Sequence, residues 1–239
     1  MLSKNQVKLI RSLNQKKYRL QHGLFVVEGF KVIKELLNSH YVLHTLYTTE
    51  AFNADEKEVL ISEKDLKRIS FLKTPHTAVA IFEIPKIKAI DHNQLIVALD
   101  DVRDPGNLGT IIRLCDWFGI QDLVCSKETV DCFNPKVVQA SMGSITRVNI
   151  VYVDLLTFLE NHSTAIFGAY MEGENVYKKT FPNQGVLVMG NEANGISEAV
   201  EKLISDKITI PRFGDIQATE SLNVATATAI LLSEFRRSR

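Results

Sequence analysis

Residues 208–224 decide the fold: Ile208-Thr209-Ile210-Pro211-Arg212-Phe213-Gly214, a polar run, then Ser221-Leu222-Asn223-Val224. The opening triplet is a short β-branched strand stopped by a proline. Ser221 stands as an N-cap before an alanine-rich helix that extends to about Phe235. A helix starting just beyond a strand's C-terminal end aims unpaired N–H groups at the crevice where open α/β sheets bind ligands. Ala225 and Ala229 share a face with Leu222, and side chains that small let another backbone come close. Taken alone, the stretch also reads as a plain terminal strand and helix with Ser221 only as a cap.

Upstream the pattern is regular. Leu95 to Leu99, Asp122 to Cys125, Val148 to Val153, Ala165 to Tyr170 and Val186 to Met189 are short apolar strands separated by helical stretches. Nearly continuous apolar strands alternating with helices predict a parallel sheet covered on both faces. The polar run from Pro85 to Asn93 is the expected domain boundary. Before it come a helix over 3–21, with Val7, Ile10 and Leu13 at helical spacing, and a strand at Phe25–Val27. A helix over Phe30–Leu37, a strand over Val42–Tyr47, a Ser62-capped helix over Glu63–Ile69 and a strand over Ala78–Ile84 follow. The prediction is a small α/β domain over 1–88 and a parallel-sheet α/β domain over 93–239.

The 239 residues are 45% apolar, enough for real cores, and no apolar run approaches the roughly 20 residues of a membrane span. The basic opening from Met1 to Leu20 lacks the apolar run of a signal peptide, so a cytoplasmic protein is expected. Cys115, Cys125 and Cys132 are odd in number and form no CxxC pair, which argues for buried thiols and against a disulfide framework or a metal site. The 28 basic and 28 acidic residues cancel, but their distribution is uneven. Lys4, Lys8, Arg11, Lys16, Lys17 and Arg19 all precede the first acidic residue, Glu28, and Arg236, Arg237 and Arg239 close the chain. Such clusters serve either as solvated surface or as phosphate contacts.

Two further loops carry candidate chemistry. The strand at 95–99 runs into Asp100-Asp101-Val102-Arg103-Asp104-Pro105-Gly106, and Asn107 reads as the cap of a helix holding Gly109 and Arg113. Helical side chains lean toward the N-terminus, so Arg113 is predicted to lie back over Gly109 toward the ligand end of the sheet; the alternative is a surface pair with Asp104 or Asp116. The strand ending at Met189 runs into Gly190-Asn191-Glu192-Ala193-Asn194-Gly195-Ile196-Ser197. There Gly190 would let a ligand touch backbone, Glu192 would sit beside that ligand, Asn194-Gly195 would turn, and Ser197 would cap the next helix.

Together, Asn107-x-Gly109-x-x-x-Arg113, Gly190-Asn191-Glu192-x-x-Gly195-Ile196, and Ile210-Pro211 with Ser221-Leu222-Asn223-Val224 resemble the three ordered motifs of the SpoU (TrmH-like) class of SPOUT RNA methyltransferases. The basic first helix followed by Phe25-Val26-Val27-Glu28-Gly29 resembles that family's L30e-like RNA-binding domain. The resemblance implies an α/β-knot domain with a C-terminal trefoil knot, paired as a homodimer, that uses S-adenosylmethionine to methylate an RNA ribose 2'-hydroxyl. It implies cofactor contacts near Met189, Gly190, Ile210 and Leu222, and roles in RNA binding and catalysis for Asn107, Arg113, Glu192, Ser221 and Asn223. Lys8, Arg11, Lys16, Lys17 and Arg19 become the expected RNA-binding residues. Two departures stand out: Arg212 replaces the usual apolar residue after the proline, and the loop from Gly214 to Ser221 is longer than the common pattern.

The N-terminal domain favours large-subunit ribosomal RNA over transfer RNA as substrate, the latter being the alternative. Arg113 is the family's proposed base, but a guanidinium is so weak an acid that gripping the target phosphate and orienting the hydroxyl suits it better. A catalytically silent RNA-binding relative is a competing reading. A nucleotide-dependent oxidoreductase is another, opposed by the missing GxGxxG and by the missing ribose-binding acid after it.

Overall fold

The computed structural model describes residues 2–52, 57–214 and 221–237, which form two compact units. One comprises Met1–Lys86 with Asp131–Thr146, the other Ile87–Val130 with Arg147–Arg239. The break at Lys86 falls in the polar run, but 131–146, which sequence alone assigns to the second domain, joins the first unit.

In the first unit α1 (Lys4–Ser12), α2 (Lys16–His22), β1 (Leu24–Glu28), α3 (Phe30–Leu37), β2 (Leu43–Thr48), β3 (Glu58–Leu60), α4 (Glu63–Ile69) and β4 (Ala78–Glu83) follow in order. The sheet order is β1-β4-β2-β3, with β3 parallel to β2 and the other pairs antiparallel. The single helix expected over 3–21 is two. Ser3 and Gln6 form a capping box on α1, Leu13 ends it, and α2 stops at Gly23 in the left-handed conformation. Ile10, Leu13, Val26, Leu66 and Ile81 pack one face of the sheet. The short strand β3 is not legible in sequence because Glu58-Val59-Leu60 is exposed or half-buried, leaving no apolar face to read.

The segment 131–146 buries the other face. Phe133 stacks on Phe25 with ring centroids 4.7 Å apart, and the Tyr41 hydroxyl donates to the Ile145 carbonyl at 3.1 Å. This is why β1 is buried along its whole length.

The second unit contains β5 (Leu95–Leu99), α5 (Pro105–Trp117) and β6 (Asp122–Ser126); the next helix in the chain, α6 (Pro135–Ser141), belongs to the first unit. Then come β7 (Asn149–Val153), α7 (Leu155–Glu160), β8 (Ile166–Asn175), β9 (Gly185–Met189), α8 (Glu198–Glu201), β10 (Asp206–Thr209) and α9 (Val224–Arg236). Six parallel strands lie in the order β10-β8-β9-β5-β6-β7, the covered parallel sheet that the apolar strands predict. Ile96, Ala98, Val186 and Val188 face Leu155, Leu159, Ile196 and Val200. On α9, Phe235 meets Phe167 of β8 and stacks on Phe181. All three cysteines are buried thiols.

Strand β9 enters between β8 and β5 after the chain has already laid down β6 and β7. Leu99 pairs in register with Met189, so the loops leaving β5 and β9 emerge side by side at the centre of the sheet's C-terminal edge.

Candidate active site

The loop after β5 is held from both neighbours. Asp100 is buried and its carboxylate accepts the Ser197 N–H at 2.7 Å, while its own N–H donates to the Met189 carbonyl at 2.9 Å. Asp101 takes a left-handed φ of 60°, a conformation that aspartate tolerates better than most residues, and its N–H donates to Ser126 Oγ. Its carbonyl accepts the Asn191 side-chain amide at 2.7 Å and its carboxylate pairs with Arg103 at 2.8 Å. Both acids therefore have local partners.

Asp104, not Asn107, is the N-cap of α5: its Oδ1 accepts the Asn107 N–H at 2.8 Å, with Pro105 at the first helical position. The Asp-Pro pair is the legible signal for that cap. Freed from capping, the Asn107 side chain turns to Glu192, donating to Oε1 at 3.0 Å. The same carboxylate accepts the backbone N–H groups of Asp104 at 3.0 Å and Arg103 at 3.2 Å. Burial pushes the Glu192 carboxyl up, but these hydrogen bonds outweigh it, the Asn107 amide foremost, and hold it below the usual carboxylate range. Glu192 is thus an anion fixed by three donors.

Asn223 completes the constellation. It, and not Ser221, caps α9: its Oδ1 accepts from the Ala225 and Thr226 N–H groups at 3.0 and 3.2 Å. That leaves its Nδ2 to donate to Asn107 Oδ1 at 2.9 Å. Ser221 lies two residues outside the cap, exposed and without a hydrogen bond to any described residue.

Gly190 is required by the packing of the chain itself. A Cβ there would lie 2.2 Å from the Gly195 carbonyl carbon and 2.3 Å from the Ile196 nitrogen. The close approach is made by the chain's own 191–195 turn, closed by paired hydrogen bonds between Asn191 and Gly195 and by Gly195 at φ 70°. Ser197 occupies the cap position of α8 as expected, but its side chain makes no capping bond.

Arg113 is exposed and has no ion pair among the described residues, because Asp116 pairs with Arg147 and Asp104 caps the helix. The surface-pair alternative therefore fails, and no hydrogen bond ties Arg113 to Asn107, Glu192 or Asn223. Met189 is buried at the end of β9, Ile210 follows the last ladder pair of β10, and Leu222 is 47% exposed. The stretch 215–220, the greater part of the long loop before Ser221, lies outside the described residues, as does Arg239.

In the first unit Lys8, Arg11, Lys16 and Lys17 are exposed, although Arg11 donates to the Ser70 carbonyl at 2.9 Å and covers the Phe71 ring. Arg19 does not fit a phosphate contact. It is 2% exposed, its Nη1 donates to the carbonyls of Leu13 and Asn14, and its Nε and Nη2 grip Asp131. The guanidinium satisfies carbonyls left open where α1 ends, so this charge is structural. Among the described residues no group of three or more His, Cys, Asp or Glu could hold a metal ion, and no helix is long and apolar enough to cross a membrane.

Residues 94–233 match the SpoU rRNA Methylase family, and residues 4–80 match the MRM3-like substrate binding domain. The chain is similar to RlmP, the 23S rRNA (guanosine(2553)-2'-O)-methyltransferase of Bacillus subtilis, with 28% identity covering 98% of this chain and 97% of the relative. Among solved structures it is similar to a protein assigned to the TrmH family from Porphyromonas gingivalis, with 41% identity and a TM-score of 0.90 over all of both chains. It is also similar to an AdoMet-bound rRNA methyltransferase from Sinorhizobium meliloti, with 31% identity and a TM-score of 0.87 over 100% of this chain and 97% of that one.

Proposed function

The chain belongs to the SpoU rRNA methylase family, and from that premise we propose that it transfers a methyl group from S-adenosylmethionine to a ribose 2'-hydroxyl of large-subunit ribosomal RNA. The observation that carries this reading is the relay Asn223–Asn107–Glu192, which draws one residue from each of the three motifs into a single hydrogen-bonded chain at the sheet's C-terminal edge.

The cofactor fits the residues present. Ile210 lies past its ladder, and Leu222 presents a half-exposed apolar side chain. A purine ring needs apolar cover of that kind beside backbone polar groups. Met189 and Gly190 contribute from the end of β9, Gly190 by letting the 191–195 turn fold in close. S-Adenosylmethionine supplies a methyl on a sulfonium, so an in-line displacement forms the new oxygen–carbon bond, breaks the sulfur–carbon bond and releases the hydroxyl proton.

The protein's part is positioning. The Asn223 amide is oriented by the first turn of α9, so its Nδ2 must donate; Asn107 must then accept with Oδ1 and donate with Nδ2, and Glu192 receives. This directional chain fastens the start of α9 and the loops after β5 and β9 to one another before RNA arrives. Glu192, already engaged and acidic, is poorly suited to take the hydroxyl proton. Arg113, cationic and without an ion pair among the described residues, grips the target's phosphate and orients the hydroxyl, and the proton departs late or through that phosphate. Ser221 and Asn223 flank the reacting ribose from the α9 side.

The first unit serves as the RNA-holding domain through Lys8, Arg11, Lys16 and Lys17, a reading supported by the match of residues 4–80. A homodimer through the second unit, built on the small residues of α9, and a knotted C-terminal segment follow from family membership and are proposed with it. Since ribosomal RNA is the proposed substrate, the cytoplasm is the proposed place of action.

The test has two parts. Ribose methylation mapped across ribosomal and transfer RNA, from cells with and without the gene, should show one site lost from large-subunit RNA. The purified protein's melting temperature should rise with S-adenosylmethionine. Loss of a transfer RNA site alone would replace the substrate, and no thermal shift at saturating cofactor would remove the enzyme reading.

A further inference from the structure

Phe213 is 83% exposed, more than any other large apolar side chain described except Trp117 at 84%. It is not isolated. Its ring centroid lies 6.3 Å from that of Tyr177, with the planes 31° apart, and Tyr177 is itself 38% exposed in the short turn Val176–Lys178. Two neighbouring aromatic rings, inclined to each other by 31°, are therefore exposed at one place on the second unit. A protein gains nothing in stability from such exposure, since apolar surface in water is unfavourable.

Basic residues flank both rings in the sequence. Arg212 precedes Phe213 and Lys178 follows Tyr177. Arg237 reaches the Tyr177 carbonyl with Nη2 at 3.5 Å while its Nη1 meets Glu234 at 3.2 Å. Aromatic faces set among cations are how proteins hold unpaired nucleotides: rings stack on bases, and guanidinium or ammonium groups follow the phosphates. The placement is also specific. Phe213 stands four residues past the end of β10, on the stretch that leaves Ile210 and leads toward Ser221. The residue before it, Arg212, is one of the two departures from the family pattern noted in the sequence.

We propose that Phe213 and Tyr177 form a stacking platform for an unpaired base of the RNA substrate, a near neighbour of the methylated nucleotide, with Arg212, Lys178 and Arg237 along its backbone. The proposal rests on the methyltransferase reading above and adds that the target lies in a single-stranded loop or bulge and not within a duplex.

Fluorescently labelled oligouridine and a duplex RNA of equal length are titrated into the full-length protein and into Phe213→Ala and Phe213→Trp. Phe213→Ala should weaken oligouridine binding about tenfold, equivalent to ~1.4 kcal/mol, the worth of about one base on one ring. Phe213→Trp should restore it, duplex binding should stay unchanged, and the dependence on salt should keep its slope because no charge is removed. Equal oligouridine affinity in Phe213→Ala would overturn the platform. So would a weakening accompanied by slower sedimentation, which would mark the rings as a contact between two copies of the chain. S-Adenosylmethionine binding, measured on the same preparations, separates the two readings. If it is intact in wild type and Phe213→Ala while oligouridine affinity does not fall, only the platform fails; if wild type binds neither cofactor nor RNA, both readings fail.

Discussion

The side-chain amide of Asn223 donates to the amide oxygen of Asn107 at 2.9 Å, and the polarity of that bond is fixed at both ends, by the α9 backbone on one side and by the Glu192 carboxylate on the other. Asn107→Asp keeps the acceptor for Asn223 but puts a carboxylate oxygen against Glu192 Oε1. Asn107→Ala removes both hydrogen bonds without adding charge. Methyl transfer in single-turnover experiments is expected to fall on the order of 100-fold in the Asp variant, since small misplacements of reacting groups cost that much. Ala should be milder, and the gap should narrow as the pH falls and the carboxylate pair takes up a proton. An Asp variant that matches Ala at neutral pH would show that the relay does not hold the site together.

The depressed Glu192 carboxyl links stability to pH with a definite sign. Its folded pKa lies below its unfolded value, so its contribution is present above the unfolded pKa and is lost as pH falls through the folded one. Glu192→Gln carries no such dependence. The wild type should therefore melt above the Gln variant at about pH 6, with the difference shrinking below about pH 4. Thermal melts of both proteins across that range check it, and a gap that widens on acidification would reverse the assignment of Glu192 as a hydrogen-bonded anion.

The strands are legible because parallel strands covered on both faces are apolar throughout, and Leu95–Leu99 and Val186–Met189 read so from sequence alone. The caps are harder to assign because Ser, Asn and Asp compete for one role. Asn107 and Ser221 both have the residue type of a cap, but Asp104 before a proline and Asn223 nearer the apolar run have the better geometry. That shift matters, since it releases Asn107 for Glu192 and turns a cap, Asn223, into a link between motifs. The burial of Arg19 is not legible at all. Its partner Asp131 lies 112 residues away, in a segment whose return to the first unit no local pattern announces.

Arg19 and Asp131 should behave as a buried pair, at 2% and 13% side-chain exposure. Removing one partner strands the other charge, so Arg19→Ala or Asp131→Ala is expected to cost about 3 kcal/mol or more in chemical denaturation. Alanine at Lys8, Lys16 and Lys17 should leave stability nearly unchanged and flatten the salt dependence of RNA binding by up to roughly 0.7–0.9 for each phosphate no longer neutralised. A folded Arg19→Met protein should keep the wild-type salt slope. If its slope fell like that of the lysine variants, the guanidinium would have to reach RNA after all.

Arg113 is the sharpest test of the chemistry, because the structure leaves it exposed and without an ion pair among the described residues while binding the neighbouring acids elsewhere. Such a cation on the helix that carries Asn107 costs little to retain and is free to meet a phosphate. If its role is to hold the phosphate and the hydroxyl together, the planar fork matters as much as the charge, and lysine cannot reproduce it. Arg113→Lys is therefore expected to lower kcat on RNA by roughly 100-fold, on the order of 3 kcal/mol of transition-state stabilisation, with S-adenosylmethionine affinity and folding unchanged. The decisive comparison is single-turnover methylation against cofactor titration on one preparation. Near-normal turnover by the lysine variant would leave Arg113 as ordinary surface charge and shift the search for the orienting group to Ser221, the exposed hydroxyl two residues before Asn223. A parallel loss of cofactor binding would instead place Arg113 in the ground state and rule out its action on the reacting ribose.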